Sequence, residues 1–166
     1  MIEEIKKEGL LEMGEKRKEI SCEELHKEID LIQDCVKRMS NNSFLLKGWL
    51  ISILVVIIAL SPDEVSRITL ILLSLVITMS FWRLDAFFLR TEKLYRKMYE
   101  WVLEKRKRGN IEYQYDLNPH RFDKEVDNLM RIMFSDTLRW FYGSIAFLIV
   151  VALVYYIGPN ILKSIL

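Results

Sequence analysis

Three apolar runs dominate the chain, and helically periodic polar stretches precede and separate them. The first run, FLLKGWLISILVVIIAL, covers Phe44 to Leu60 and carries one charge, Lys47. The second starts with ITLILLSLVITMSFW at Ile68 and continues past Arg83 to about Leu89. The third, WFYGSIAFLIVVALVYYIG, covers Trp140 to Gly158. Each approaches the ~20 apolar residues that a helix needs to cross a bilayer core. One such run could be a buried core helix. Three in 166 residues exceed what a small soluble core can hide, so the pattern predicts three transmembrane helices.

The polar stretches have their own period. Cys22, Leu25, Ile29, Ile32, Val36 and Met39 recur at spacings of three and four, the seam of a helix that packs on other helices. Ser21 and Glu24 form a capping box just ahead of it. Residues 1–19, with Gly9 and Gly14, are weakly patterned and are read as a loose or partner-ordered helix. Beyond the second run, Leu84, Phe87, Leu94, Met98, Trp101 and Val102 share one side, and no Gly or Pro interrupts before Gly109. The second span is therefore expected to continue as a stalk; about twenty residues at ~1.5 Å each project it by about 30 Å. GNIEYQYDL then turns the chain, and Asn118 with Pro119 reads as an N-cap and first helical position. Phe122, Val126, Leu129, Met130 and Met133 form the apolar stripe of a returning helix that can run directly into the third span.

The expected fold class is all-α: an integral membrane protein whose three transmembrane helices continue into a cytoplasmic helical bundle. Its parts are a cytoplasmic region 1–43, a two-span hairpin 44–89, a cytoplasmic helical hairpin 90–138, and a third span with a short outer tail 139–166. Net charge is only +1, but its distribution orients the chain. Thirteen Lys and Arg lie between Arg83 and Arg139 and eight in residues 1–43, against one in the hairpin turn and one after Gly158. By the positive-inside rule the amino terminus and the long segment face the cytoplasm and the carboxyl terminus lies outside. Trp49, Trp82, Trp140 and Tyr142 fall at the expected cytoplasmic ends, and Tyr155 and Tyr156 at the outer end, levels that amphipathic rings prefer. Residues 1–40 are dense in Glu and Lys, so no cleavable signal is expected there.

Candidate chemistry is sparse. Cys22 and Cys35 show no metal-ligand spacing, and His26 and His120 are far apart. No phosphate loop, catalytic triad order or dinucleotide fingerprint is present, so neither an enzyme nor a cofactor is expected. The run Lys105, Arg106, Lys107, Arg108, with Trp101 nearby, is a candidate partner surface for a cytosolic protein or a nucleotide- or RNA-linked signal. Its alternative is a solvated helix end whose cations complement the helix dipole. No specific nucleic-acid site is identified. Trp101, Tyr113 and Tyr115 are read either as contacts to other subunits or as core.

At SFWRLDAFFLRTEK the second span passes the interface without ending. Arg83 can snorkel to head groups, while folding the hairpin brings Lys47 to the depth of Asp85. Lys47 and Asp85 are expected to pair, within one subunit or between neighbours. With Trp49, Trp82, Arg83 and Trp140 they make the candidate interface and assembly set.

An amino-terminal helix, a tight two-span hairpin, and a long charged helix growing from the second span resemble the plan of SLATT-like effector domains of bacterial conflict systems. RMSNNSFLLKGW and WRLDAFFLRTEKLYRKMYEWV look like the segments flanking such hairpins, and the third span departs from that plan. The plan is also similar to that of small pore-forming membrane accessory proteins of CRISPR systems, with no motif matched. The resemblance implies a homo-oligomeric effector that meets membrane lipid and permeabilises the inner membrane when signalled. It transfers no catalytic or binding residue.

Overall fold

The computed structural model describes residues 21–59 and 64–165. Expectations for residues 1–20 and for the turn at 60–63 lie outside the described residues. Among the described residues the chain is mostly helical, with no strand. Helix α1 is Cys22–Ala59, α2 is Glu64–Lys107, and a short 3-10 turn occupies Pro119–Phe122. A brief helix α3, Leu129–Met133, then precedes α4, Asp136–Ile165. Helices α1, α2 and α4 are each long and apolar enough to cross a membrane.

Both long helices pass from polar to apolar sequence without a break, as the absence of internal Gly or Pro in their polar halves requires. Helix α1 opens on the expected capping box: the Glu24 N–H donates to Ser21 Oγ at 3.1 Å, and the Ser21 N–H reaches back to Glu24 Oε2. Helix α2 ends in a Schellman motif. The Gly109 N–H donates to the Arg106 carbonyl and the Asn110 N–H to the Lys105 carbonyl, and Gly109 takes φ +72° at the position that requires a left-handed residue.

Helices α1 and α2 pack antiparallel along their length, and α4 packs on the apolar half of α2, meeting α1 through side chains such as Phe141 beside Lys47. Two buried clusters result. Ile32, Leu94, Met98, Val102 and Phe122 form the core of the polar bundle. Leu50, Trp82, Ala86, Ile132, Leu138 and Tyr142 form a second core where the polar and apolar halves meet.

The buried face of α1 keeps Ile32 of the expected seam, with Leu25, Ile29, Val36 and Met39 partly buried, and widens to take in Glu28 and Cys35. Cys22 is exposed, while Glu28, Ile32 and Cys35 are buried. The buried line thus runs through a carboxylate, which a hydrophobic pattern cannot register. The outer side of the expected α2 stripe also turns outward, with Leu84 and Phe87 exposed and Asp85 and Ala86 inside.

The expected continuous return helix is absent. After the 3-10 turn the chain stays irregular to Asn128, whose side chain caps α3 by accepting from the Arg131 N–H. Arg90 on α2 holds this stretch by donating to the Asp127 and Asp123 carbonyls at 3.1 and 3.3 Å. A second break at Phe134 and Ser135 separates α3 from α4. The Met133 carbonyl at this break accepts the indole N–H of Trp82 at 2.7 Å. The break buries Ile132 and leaves Met130 exposed, so Met130 does not join the core.

Candidate functional site at the junction of the two bundles

The junction is built around one carboxylate. Asp85 is fully buried in the middle of α2, where an unpartnered charge would carry a large desolvation cost. Three side chains answer it from two other helices. Lys47 Nζ on α1 lies 2.5 Å from Oδ2. Ser43, one turn away, donates its hydroxyl to Oδ1. Tyr142 on α4 donates its hydroxyl to Oδ2 at 2.9 Å. Lys47 also bonds the Ser43 hydroxyl and carbonyl at 3.0 and 3.3 Å, closing the network.

The spacing is what makes this work. Ser43 and Lys47 are four apart and so share a face of α1. Asp85 and Trp82 are three apart and share a face of α2. Tyr142 then meets both, since its ring stacks on Trp82 at 5.8 Å with planes only 8° apart. Lys47 also lies 6.0 Å from the centroid of Phe141. The pairing of Lys47 with Asp85 occurs within one chain.

The candidate residues therefore divide. Lys47, Asp85 and Trp82 belong to one buried assembly, joined by Ser43 and Tyr142. Trp82 and Tyr142, read from sequence as interface anchors, are buried in that assembly instead. Their polar atoms find partners inside the protein, so they do not need a water-facing level. Trp49 and Trp140 are exposed on the outside of the bundle, and Arg83 is exposed as well. No sequence signal pointed to Ser43 as a partner; its position one turn before Lys47 was the available clue.

The basic run Lys105–Arg108 also divides. Arg106 is buried and cannot belong to an open partner surface. Its guanidinium grips Glu28 in a two-pronged pair, with Nε to Oε2 at 2.9 Å and an NH2 to Oε1 contact at 2.8 Å. Its remaining nitrogen donates to the Asn110 and Glu112 carbonyls at 2.6 and 3.1 Å. Lys107 and Arg108 are exposed, and Arg108 pairs with Glu104 on its own helix at 2.7 Å. Lys105 leans over Trp101.

Glu28 also accepts the Tyr115 N–H at 3.0 Å, so one buried carboxylate fastens the loop after α2 onto α1. Tyr113 and Tyr115 in that loop adopt φ of 56° and 59°, a conformation costing about 1–2 kcal/mol for a residue with a side chain. Neighbouring contacts hold them there. Arg121 stacks over Tyr113 at 4.2 Å and over Trp101 at 5.2 Å. Trp101 is thus half-buried against its own loop, with Tyr113 and Tyr115 partly exposed beside it.

Five further hydroxyls of the apolar halves turn back on their own helices. Ser52, Ser74, Thr78, Ser80 and Ser144 each donate to a carbonyl three or four residues earlier. Among the described residues, no three His, Cys, Asp or Glu side chains converge to hold a metal ion. The junction cluster is an ion pair with two hydroxyl donors, suited to locking three helices at a common level. No family model, curated protein or solved structure matches the chain.

Proposed function

We propose that this chain is an oligomeric inner-membrane effector whose cytoplasmic bundle takes up a signal and whose spans answer with altered membrane permeability. The observation that carries the reading is a mechanical one. Helices α1 and α2 run unbroken from the polar bundle into the apolar one and are tied together by two ion pairs, Glu28–Arg106 inside the polar bundle and Lys47–Asp85 at the junction. A force or partner acting on the polar end would thereby reach the spans, because each helix is continuous from the polar bundle through its apolar half.

In this reading the bundle lies in the cytoplasm, as its excess of Lys and Arg favours, and the turn between α1 and α2 lies outside. The most apolar stretches of α1 and α4 are each only 11% buried within one chain, leaving broad faces for lipid and for further copies. Three spans are too few to enclose a water path, so a conducting lumen needs several copies. The SLATT-like resemblance adds the setting of bacterial antiviral defence, with a cytosolic protein or nucleotide-linked signal as activator.

The test is reconstitution. Purified chain in dye-loaded liposomes, with size-exclusion light scattering of the same preparation, should give a closed homo-oligomer and activator-dependent release. A monomer bound to a cytosolic protein, with intact liposomes throughout, overturns the proposal and assigns the chain as a membrane anchor.

A further inference from the structure

We infer that copies of this chain join head to tail, the outward face of α1 on one copy packing into the outward face of α4 on the next. The contact supplies the assembly that the permeability proposal needs, and it rests on that proposal's homo-oligomer and membrane-spanning helices.

Each of these faces carries a seam. Leu45, Trp49, Ser52 and Val56 lie four, three and four residues apart on α1, and all are exposed. Trp140, Ser144, Phe147 and Val151 repeat that spacing on α4, and all are exposed as well. The spacing sets each group along one side of its helix, as in helices that interlock by knobs and holes. An apolar face is at home against lipid, but the shape and register of these two favour protein.

The α4 seam contains a hollow of about 480 Å3, lined by Trp140, Gly143, Ser144 and Phe147 together with Arg139. The first four stand at i, i+3, i+4 and i+7, the corners of a hole that receives a knob from a facing helix. A Cβ at Gly143 would find open space. The Ser144 hydroxyl is bound to the Phe141 carbonyl at 2.9 Å, so the floor asks for no polar partner. The two rings bound the hollow seven residues apart, about 10 Å along the axis. That length suits one bulky side chain better than a lipid tail.

Trp49 stands at the matching depth. Lys47 on α1 and Tyr142 on α4 both bond Asp85 Oδ2 and so share a level. Helix α4 runs antiparallel to α2, as α1 does, because Tyr142 meets Asp85 while Ala152 lines a groove with the earlier Ile71. Helices α1 and α4 are therefore parallel, and Ile51 to Ile58 line that groove beside Ile145 to Ala152. Each α1 residue is thus level with the α4 residue 95 positions on, as Lys47 is with Tyr142. On that register Leu45 faces Trp140, Trp49 faces Ser144, Ser52 faces Phe147 and Val56 faces Val151. Large meets small in the two central layers. Copies related by an axis along the membrane normal keep every residue at its depth, and a contact between unlike faces repeats about that axis into a ring.

Cysteine cross-linking of the full chain in membranes tests the register. In a Cys22→Ser background, Val56→Cys combined with Val151→Cys should give a ladder of linked copies under copper–phenanthroline oxidation. The two positions cannot join within one chain, because no Cα of α1 comes within 8 Å of one in α4 among the described residues. Neither substitution alone should link, and Val55→Cys with Val151→Cys, one position off the seam, should give no ladder. Size exchange tests the knob. Trp49→Ala and Ser144→Trp should each shift the oligomer to monomer in size-exclusion light scattering, and the double variant should restore it. Linking by either single cysteine variant overturns the inference, since like faces would then meet. A closed oligomer with no link between positions 56 and 151 overturns it too and leaves the permeability proposal standing. A monomeric wild type removes both.

Discussion

Lys47 and Asp85 stand 38 positions apart in the chain, yet the Lys47 ammonium and the Asp85 carboxylate meet at 2.5 Å with the carboxylate fully buried. Removing one partner leaves the other without compensation, which typically costs about 3–5 kcal/mol. Asp85→Ala should therefore lower thermal stability in detergent and weaken assembly. The exchange Lys47→Asp with Asp85→Lys should restore only part of the loss. Ser43 and Tyr142 both donate to the carboxylate, and a lysine at 85 would need those hydroxyls to turn round and accept. No recovery at all in the double variant would count against the pair as the stabilising contact.

Trp82→Phe separates two roles of one side chain. The phenyl ring can keep the stack on Tyr142 but cannot donate to the Met133 carbonyl. Leaving that carbonyl unsatisfied should cost about 1–3 kcal/mol and loosen the break between α3 and α4. Amide exchange across 129–136 reads it. Exchange equal to wild type would show that water serves the carbonyl as well as the indole does.

The basic run at the end of α2 should behave unevenly. Arg106→Gln breaks a buried two-pronged pair and should destabilise the bundle by about 3–5 kcal/mol, with faster exchange through the loop at 109–118. Lys107→Gln and Arg108→Gln, on exposed side chains, should stay within about 0.5 kcal/mol. Equal effects of all three would contradict the burial of Arg106. Loss of activator response in the Lys107 and Arg108 variants, with stability intact, would mark those two as the partner contact.

Cysteine labelling reports which side of α1 is buried. Cys22 is exposed and Cys35 is buried, so a maleimide applied to folded protein should modify Cys22 first and Cys35 only on unfolding. Labelling of Cys35 ahead of Cys22 would contradict the placing of Cys35 inside the bundle.

Asp123 gives the return segment a pH dependence. Partial desolvation pushes its carboxyl up, but hydrogen bonds from His120 and Arg90, with their charges, outweigh this and hold it below the usual range. A carboxyl lowered on folding contributes stability fully above the ordinary Asp value of about 3.9 and loses it as pH falls through the lowered value. Protection of the 123–128 amides, corrected for intrinsic exchange, should therefore decline only in acid. Asp123→Asn should flatten that profile; an unchanged profile would remove Asp123 as its source.

The sequence by itself determined the helical class, the three apolar helices, the unbroken passage of α1 and α2 between polar and apolar halves, and the capping box at Ser21. These follow from local period, chain length and the placing of Gly and Pro, all of which act within a few residues. It also brought Lys47 to Asp85, because a short hairpin fixes which depths face each other. Only the tertiary structure decided that Tyr142 and Ser43 complete that site, that Glu28 and Arg106 lie inside, and that the return segment breaks twice. A buried charge looks the same in sequence as a solvated one until its partner arrives from another helix. The backbone groups freed at each break were likewise satisfied from α2, by Arg90 and Trp82, and no periodicity within the return segment could announce donors supplied from elsewhere in the chain.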